Sequence, residues 1–363
     1  MRRWGPGWLS APRLDWVLLI LIMLVILAGL AVLYSATGQD AAFVQRQSIR
    51  LGIGLAAMMV ISQVPPHVLR IWAPWLYGLG LILLLATWLF GEGRSAQRWL
   101  DLGLVRFQPS ELMKLAVPMM VAAWLHPKVL PPEWRESLVA GLFLATPTVL
   151  ILHQPDLGTA LLVAASGCFT LYLAGIRWRI VAALAVIGAA LAPLLWMLME
   201  EYQRDRVRTF LDPESDPLGQ GWNIIQSKIA VGSGGWTGKG WLNGTQAQLE
   251  FIPERHTDFI LAVFAEEFGL LGVLGLLSLY LALIGRALFI ASVARDTFSR
   301  LLAGSLALIL FVYVGVNGAM VSGLLPVVGV PLPLFSYGGT SAVTLLAGFG
   351  MLMSIYSHRK FIS

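Results

Sequence analysis

DWVLLILIMLVILAGLAVLYSA, residues 15–36, carries one charged group, Asp15, at its first position and none after it. A bilayer's hydrocarbon core is about 30 Å thick and a helix rises ~1.5 Å per residue, so roughly 20 apolar residues span it. This run meets that length. Arg2 and Arg3 precede it as in a signal peptide, but the run is too long for such a peptide's apolar segment and no clear cleavage site follows, so it reads as a first membrane span. Working outward, similar runs recur at about 47–64, 71–90, 111–126, 138–153, 158–175, 180–199, 258–285, 300–322 and 336–357. The pair at 138–153 and 158–175 is short and divided only by His153-Gln154-Pro155-Asp156, so one re-entrant pair is the alternative there.

Composition agrees. The chain has 363 residues, 57% hydrophobic and 12% charged, against about 25% charged in soluble domains. That excludes a soluble core with a polar shell, and equally a disordered chain. Cys168 is the only cysteine, which excludes an intrachain disulfide framework. The expected fold is an all-α polytopic membrane protein of about ten transmembrane helices. It forms a single membrane domain over 1–363, with a large extracellular loop at 200–257 between helices 7 and 8. The net charge of +5 points to orientation, not to nucleic acid. With the N-terminus inside, Arg2, Arg3, Arg13, Arg70, Lys128 and Arg135 fall on the cytoplasmic side. Arg177, Arg179, Arg286, Arg295, Arg300, Arg359 and Lys360 join them, whereas most acids fall outside or within the membrane. Both termini are therefore expected to be cytoplasmic.

Ionisable residues in spans are costly and mark functional sites. Four places stand out, all on the expected outer side. In GEGRSAQRWLDLGLVRFQPSELMK (91–114), Arg94, Arg98 and Arg106 crowd a short loop; Ser110 is placed to cap the fourth span, and Glu111 and Lys114 lie three apart on one helix face. Guanidinium forks suit phosphate oxygens; a structural ion pair with snorkelling arginines is the alternative. In HQPDLGT (153–159), Asp156 can cap a helix or hold a cation. In EFIPERHTDFILAVFAEE (250–267), Asp258 sits where loop becomes helix, flanked by Glu254 and His256. Glu266 and Glu267 lie two turns deeper, and a buried hydrogen-bonded network would also account for them. In NGAMVSGLLPVVGVPLPLFSYGGTS (317–341), three prolines and several glycines forbid a continuous helix, while Ser336, Tyr337, Thr340 and Ser341 supply hydroxyls. A kinked hairpin is the plainer reading. Gly232 to Gly240 (GSGGWTGKG) is not a phosphate loop, because Ser233 stands where its first glycine belongs and Gly240 where its Ser/Thr belongs.

The same four stretches, with GTQAQLEFIPERHTDFILAVFAEEFGLLG (244–272), resemble the SEDS family (shape, elongation, division and sporulation), in the family's order and over essentially the whole chain. The phrases RFQPSE, GTQAQLEFIPERHTDF and LLPVVGVPLPLFSYGG resemble its rod-shape branch more than its division branch. The resemblance implies a peptidoglycan glycosyltransferase of cell elongation in the bacterial cytoplasmic membrane. It would polymerise lipid II into β-1,4 glycan strands on the outer face, beside a class B penicillin-binding protein that crosslinks them. It carries the catalytic aspartate onto Asp258 and functional positions onto Arg98, Gln108, Glu111, Lys114 and Asp156. Glu254, His256, Ser336 and Tyr337 complete the candidate substrate-binding set. Transfer from an α-linked pyrophosphate donor to a β-linked product is one inverting displacement. It needs one base, for which Asp258 is the candidate, and charge neutralisation at the leaving group. The outer cations or a divalent ion, Mg²⁺ or Mn²⁺, can supply the latter, with Asp156, Glu111 and Asp258 as contributing ligands. The competing reading is a lipid II flippase. Against it, the unusual polar residues sit on one side, whereas alternating access needs matching groups on the other.

Overall fold

A computed structural model describes residues 14–90, 98–101, 106–183, 220–249 and 251–358, with scattered positions between 186 and 209. Among the described residues are eleven helices and one two-stranded ribbon: α1 (Trp16–Ala36), α2 (Ala41–Ser62), α3 (Pro66–Phe90), β1 (Leu100–Asp101), β2 (Arg106–Phe107), α4 (Pro109–Leu125), α5 (Trp134–Leu152), α6 (Leu157–Leu173), α7 (Gln220–Ser233), α8 (Thr245–Gln248), α9 (Ile260–Ser292), α10 (Thr297–Val321) and α11 (Thr340–Ser357). The all-helical membrane architecture expected from the apolar runs is present. Six helices, α1, α3, α5, α9, α10 and α11, are long and apolar enough to cross a membrane. Nine of the ten expected runs coincide with helices, and 138–153 and 158–175 form two separate ones. Most of the seventh, 180–199, lies outside the described residues, as do Arg94, Glu250 and the two terminal segments.

The apolar faces turn both ways. Leu18, Ile22, Val25 and Leu33 of α1 are fully buried while Ile20, Leu24 and Leu27 are exposed, as expected of a helix shared between a protein core and lipid. α10 is more enclosed and runs through the middle, against α4, α6 and α9. Small residues let α2 and α11 pack closely. A Cβ on Gly350 would stand 2.7 Å from the Met58 carbonyl oxygen. Asp15 caps α1 by accepting from the Leu18 amide at 3.1 Å, and also accepts from Arg286 Nε at 2.9 Å, tying the start of α1 to α9.

The α4 start differs from the expected one. The helix begins at Pro109, whose missing N–H suits the first turn, so Gln108 and not Ser110 occupies the capping position, with no side-chain cap bond.

The larger surprise is α9, which the sequence reads as continuous. Gly269 has φ 64° and ψ −166° and breaks it. The glycine-rich stretch that follows α7 fills the break with its own backbone. Lys239 and Gly240 donate their amides to the carbonyls of Glu266 and Glu267 at 3.0 and 2.9 Å, while the amides of Leu270 and Leu271 donate to Gly235 and Trp236 at 2.9 and 3.0 Å. Glycine is required where the two backbones touch. A Cβ on Gly269 would stand 2.7 Å from the Trp236 carbonyl carbon, and one on Gly238 would run into the Glu267 carbonyl. The expected outer loop is thus partly folded onto α9. Glu266, fully buried, accepts from Lys239 Nζ at 2.6 Å, Thr245 Oγ1 at 3.0 Å and the Gln246 amide at 3.1 Å. Glu267 accepts from Ser35 Oγ and, at 3.2 Å, from the Leu242 amide. Both glutamates therefore belong to a hydrogen-bonded network that seals the break.

Gly269→Ala combines a left-handed backbone, about 1–2 kcal/mol, with overpacking of another ~1–3 kcal/mol. We expect a clear fall in the unfolding midpoint of the detergent-solubilised protein. Gly275→Ala, on the same helix with open space around it, should leave the midpoint unchanged or raise it. Equal midpoints for the two variants would contradict the backbone exchange.

Candidate functional site

Four segments meet at one end of the helix bundle. The turn between α5 and α6 is held there by Gln154, whose Nε2 donates to the Leu84 carbonyl of α3 at 2.9 Å. The segment before α9 is held by Asn317 of α10, whose Nδ2 donates at 2.8 Å to the carbonyls of both Asp258 and Val330. The segment before α11 is held by Gln47 of α2. Its Oε1 accepts from the Gly338 amide at 3.2 Å and its Nε2 donates to the Ser336 carbonyl at 3.4 Å. The proline-rich stretch is therefore not a plain hairpin. Its backbone groups bond to buried amides of two neighbouring helices, as non-helical backbone among membrane helices requires.

Between these segments lies a cavity of about 240 Å³. Of the residues singled out from sequence, Arg98, Gln108, Glu111, Lys114, Asp156, Asp258, Tyr337, Thr340 and Ser341 line it, with Gly338 and Gly339 beside them. Gln108 Nε2 donates to Asp156 Oδ2 at 2.9 Å, Arg98 Nη1 lies 3.8 Å from Asp156 Oδ1, and Arg98 also donates to the Pro155 carbonyl. Asp156 is at once a helix cap, accepting from the Thr159 amide at 3.3 Å, and a cavity wall. Lys114 and Glu111 are 2.6 Å apart and each 5% exposed, so the ion pair is a buried one. Lys114 also donates to the Tyr313 hydroxyl at 2.6 Å. Among the described residues, Glu111 Oε2 has no hydrogen-bond partner.

Asp258 is not the cap of α9, which starts two residues later with Phe259 at the capping position. Its Oδ2 lies beside Gly329, whose φ of 71° favours glycine; a Cβ there would stand 3.7 Å from the oxygen, an ordinary contact. Glu254, His256 and Ser336 are close by in sequence but do not line the cavity. Glu254 is exposed and accepts from Thr257 Oγ1 at 2.6 Å. His256 packs edge-on against Phe43 and Tyr337, at 5.7 and 6.0 Å between ring centres. Ser336 is buried, its Oγ accepting from the Leu332 amide at 2.8 Å. Burial, with Arg255 acting the same way against Glu254, holds the His256 imidazole below its ordinary pKa.

Among the described residues, no three histidine, cysteine or carboxylate side chains come close enough to hold a metal ion. Asp156 and Glu111 are engaged by Arg98, Gln108 and Lys114. Among the described residues, this donor set does not fit a divalent cation.

Sequence reading passes over Tyr313 and Gln47. A tyrosine inside ALILFVYVG and a glutamine inside α2 are the available signals, because a hydroxyl or amide buried in an apolar helix must find a partner.

Residues 12–361 match the family model of FtsW, RodA and SpoVE, described as cell cycle protein. The chain is 55% identical over 353 residues to peptidoglycan glycosyltransferase MrdB of Escherichia coli K12, covering 97% of this chain and 95% of that protein. It is 36% identical over 363 residues to a probable peptidoglycan glycosyltransferase FtsW of Trichlorobacter lovleyi, covering 95% and 94%. Among solved structures it resembles a chain of a peptidoglycan synthase complex that coordinates polymerization and crosslinking, with TM-score 0.84, 36% identity and coverage of 95% and 98%. It also resembles the rod shape determining protein RodA of Thermus thermophilus, with TM-score 0.73, 32% identity and coverage of 98% and 99%.

Lys114→Met would strand Glu111 in the bundle, which for a buried pair costs about 3–5 kcal/mol, whereas replacing both partners by apolar groups is often near neutral. The unfolding midpoint should therefore fall sharply in Lys114→Met and recover mostly in Lys114→Met/Glu111→Met. A second expectation concerns pH. A histidine with a lowered folded pKa binds fewer protons folded than unfolded, so its contribution is complete above about pH 6.5 and is lost as pH falls toward the folded value. Thermal midpoints of the wild type should drop more between pH 7.5 and 5.5 than those of His256→Gln. Parallel drops would refute this.

Proposed function

As the chain belongs to the cell cycle protein family of FtsW, RodA and SpoVE, we propose that its cavity is the place where lipid II is polymerised, with Asp258 as the general base. The chain is a peptidoglycan glycosyltransferase with a role in rod shape, in a multi-pass membrane protein. The observation that carries the reading is convergence. Asp258, Asp156, Glu111, Lys114 and Arg98 come from separate segments of the chain and line one cavity of about 240 Å³. Charge scattered for structural reasons would not gather there.

In the proposed step the sugar 4-hydroxyl of one substrate attacks the anomeric carbon of the other. Asp258 takes the hydroxyl proton as the new C–O bond forms. The bond to the pyrophosphate breaks on the opposite side, so the anomeric configuration inverts in one displacement. No enzyme nucleophile is needed, and the leaving pyrophosphate takes the bonding electrons. The Asn317 bond to the Asp258 carbonyl fixes where the base stands. Gln108 and Arg98 hold Asp156, and Lys114 holds Glu111, so the remaining acids are fixed in place.

In this reading the cavity opens on the outer face of the bacterial cytoplasmic membrane and both termini are cytoplasmic. The basic residues of the opposite end, Arg70, Lys128, Arg135 and Arg286 among them, support that orientation. The likeness to a chain of a peptidoglycan synthase complex supports a class B penicillin-binding protein as the crosslinking partner.

Purified protein with that partner and labelled lipid II should give glycan ladders. Asp258→Ala should reduce the rate by at least about 100-fold, the lower range for a removed general base, while still co-purifying with the partner. Undiminished ladders in the variant would refute the base assignment.

A further inference from the structure

Glu111 and Lys114 line two spaces. One is the cavity of about 240 Å³, and the other is a smaller space of about 30 Å³ whose remaining walls come chiefly from α10 and α11. Apart from this pair, the polar residues of the smaller space are Tyr313 and Thr344, and the rest of its lining is apolar.

The hydrogen bonds around the pair do not close. Lys114 Nζ donates to Glu111 Oε1 and to Tyr313 Oη, each at 2.6 Å. Tyr313 Oη is the acceptor in its bond, so its own proton still needs a place. Among the described residues, the recorded bonds of Tyr313 include no acceptor for that proton, and Glu111 Oε2 has no donor. Tyr313 is 1% exposed and Glu111 5%. A donor and an acceptor, both unused and both buried, thus belong to the walls of one small space. Buried polar groups are rarely left so. A water needs roughly 10–15 Å³ and about two to four polar partners, and a space of about 30 Å³ holds at least one. A water that accepts from the Tyr313 hydroxyl and donates to Glu111 Oε2 closes a ring through Lys114.

Tyr313 does not line the larger cavity, so it acts there only through other residues. Its place on α10 gives that action a direction. Asn317, four residues on along the same helix face, holds the Asp258 carbonyl. The Tyr313 ring belongs to a small buried cluster with Val330, the neighbour of Gly329, beside which Asp258 Oδ2 lies. One turn of α10 therefore sets the Lys114–Glu111 pair and Asp258 in a common frame.

We propose that Tyr313 is a positioning residue for polymerisation, acting through Lys114 and Glu111 by way of one bound water in the smaller space. The inference rests on the larger cavity being the polymerisation site, as proposed above.

Tyr313→Phe removes the hydroxyl and keeps the ring. With the purified full-length protein, its crosslinking partner and labelled lipid II, kcat should fall about tenfold or more, the order of loss from a slightly misplaced group. KM should change little, since the tyrosine touches no substrate. Ile309→Val, which takes a methyl from the same space, should lower the unfolding midpoint and leave kcat at the wild-type value. Equal kcat in Tyr313→Phe and wild type would overturn the positioning role. So would a loss of kcat in Ile309→Val as large as in Tyr313→Phe. A cryo-electron microscopy map of the full complex that shows ordered waters should carry density within hydrogen-bonding distance of both Tyr313 Oη and Glu111 Oε2. Ordered waters elsewhere in the bundle and none at this place would overturn the water site. Because the map is read without turnover, an active Asp258→Ala would refute the base assignment and leave the water site standing.

Discussion

Deep among membrane helices no group can borrow a hydrogen bond from water, and the cavity end of this protein is organised by that constraint. An unbroken helix satisfies it within itself. At the two departures from helix described here, named partners take up freed groups. Gly269 breaks α9, and the backbone of Gly235 to Gly240 supplies donors and acceptors in the missing turn's place. The irregular stretch before α11 is taken up by Asn317 and Gln47. These substitutions leave room for a polar cavity inside an apolar frame.

The same constraint governs the charges. A lone ammonium inside the bundle would be expensive, so Lys114 has both a carboxylate and a phenol within 2.6 Å. A pair of this kind contributes little net stability, because desolvation offsets the attraction, but losing either partner is costly. Asp156 combines two duties in one carboxylate, since it caps α6 with one oxygen and accepts from Gln108 with the other. The arrangement fixes positions more than it adds energy, which is what a site must have before it can act on a substrate.

Much of this was legible in the residues. The apolar runs sum a weak signal over roughly 20 positions, and nine of the ten coincide with helices among the described residues. The polar interruptions led to most of the cavity's polar residues because a polar group in an apolar context has few structural excuses. What was not legible depends on partners distant in the chain. ILAVFAEEFGLLGVLG contains no proline, and scattered glycines are tolerated in a membrane helix, so the break at Gly269 is not singled out from Gly272 and Gly275. Only the loop that fills it makes the break stable. Ser110 looked like a cap because its residue type caps helices, yet the proline before it moves the helix start to Pro109.

The exchange between the glycine loop and α9 also has a direction in time. Gly235 to Gly240 precede Glu266 to Leu271 in the chain, so the loop leaves the ribosome before the helix that needs it. Chains are made from the N-terminus at about 5–20 residues per second, so the donors for the Glu266 and Glu267 carbonyls exist seconds before those carbonyls do. The reverse order would leave a broken helix waiting in lipid with its polar backbone open.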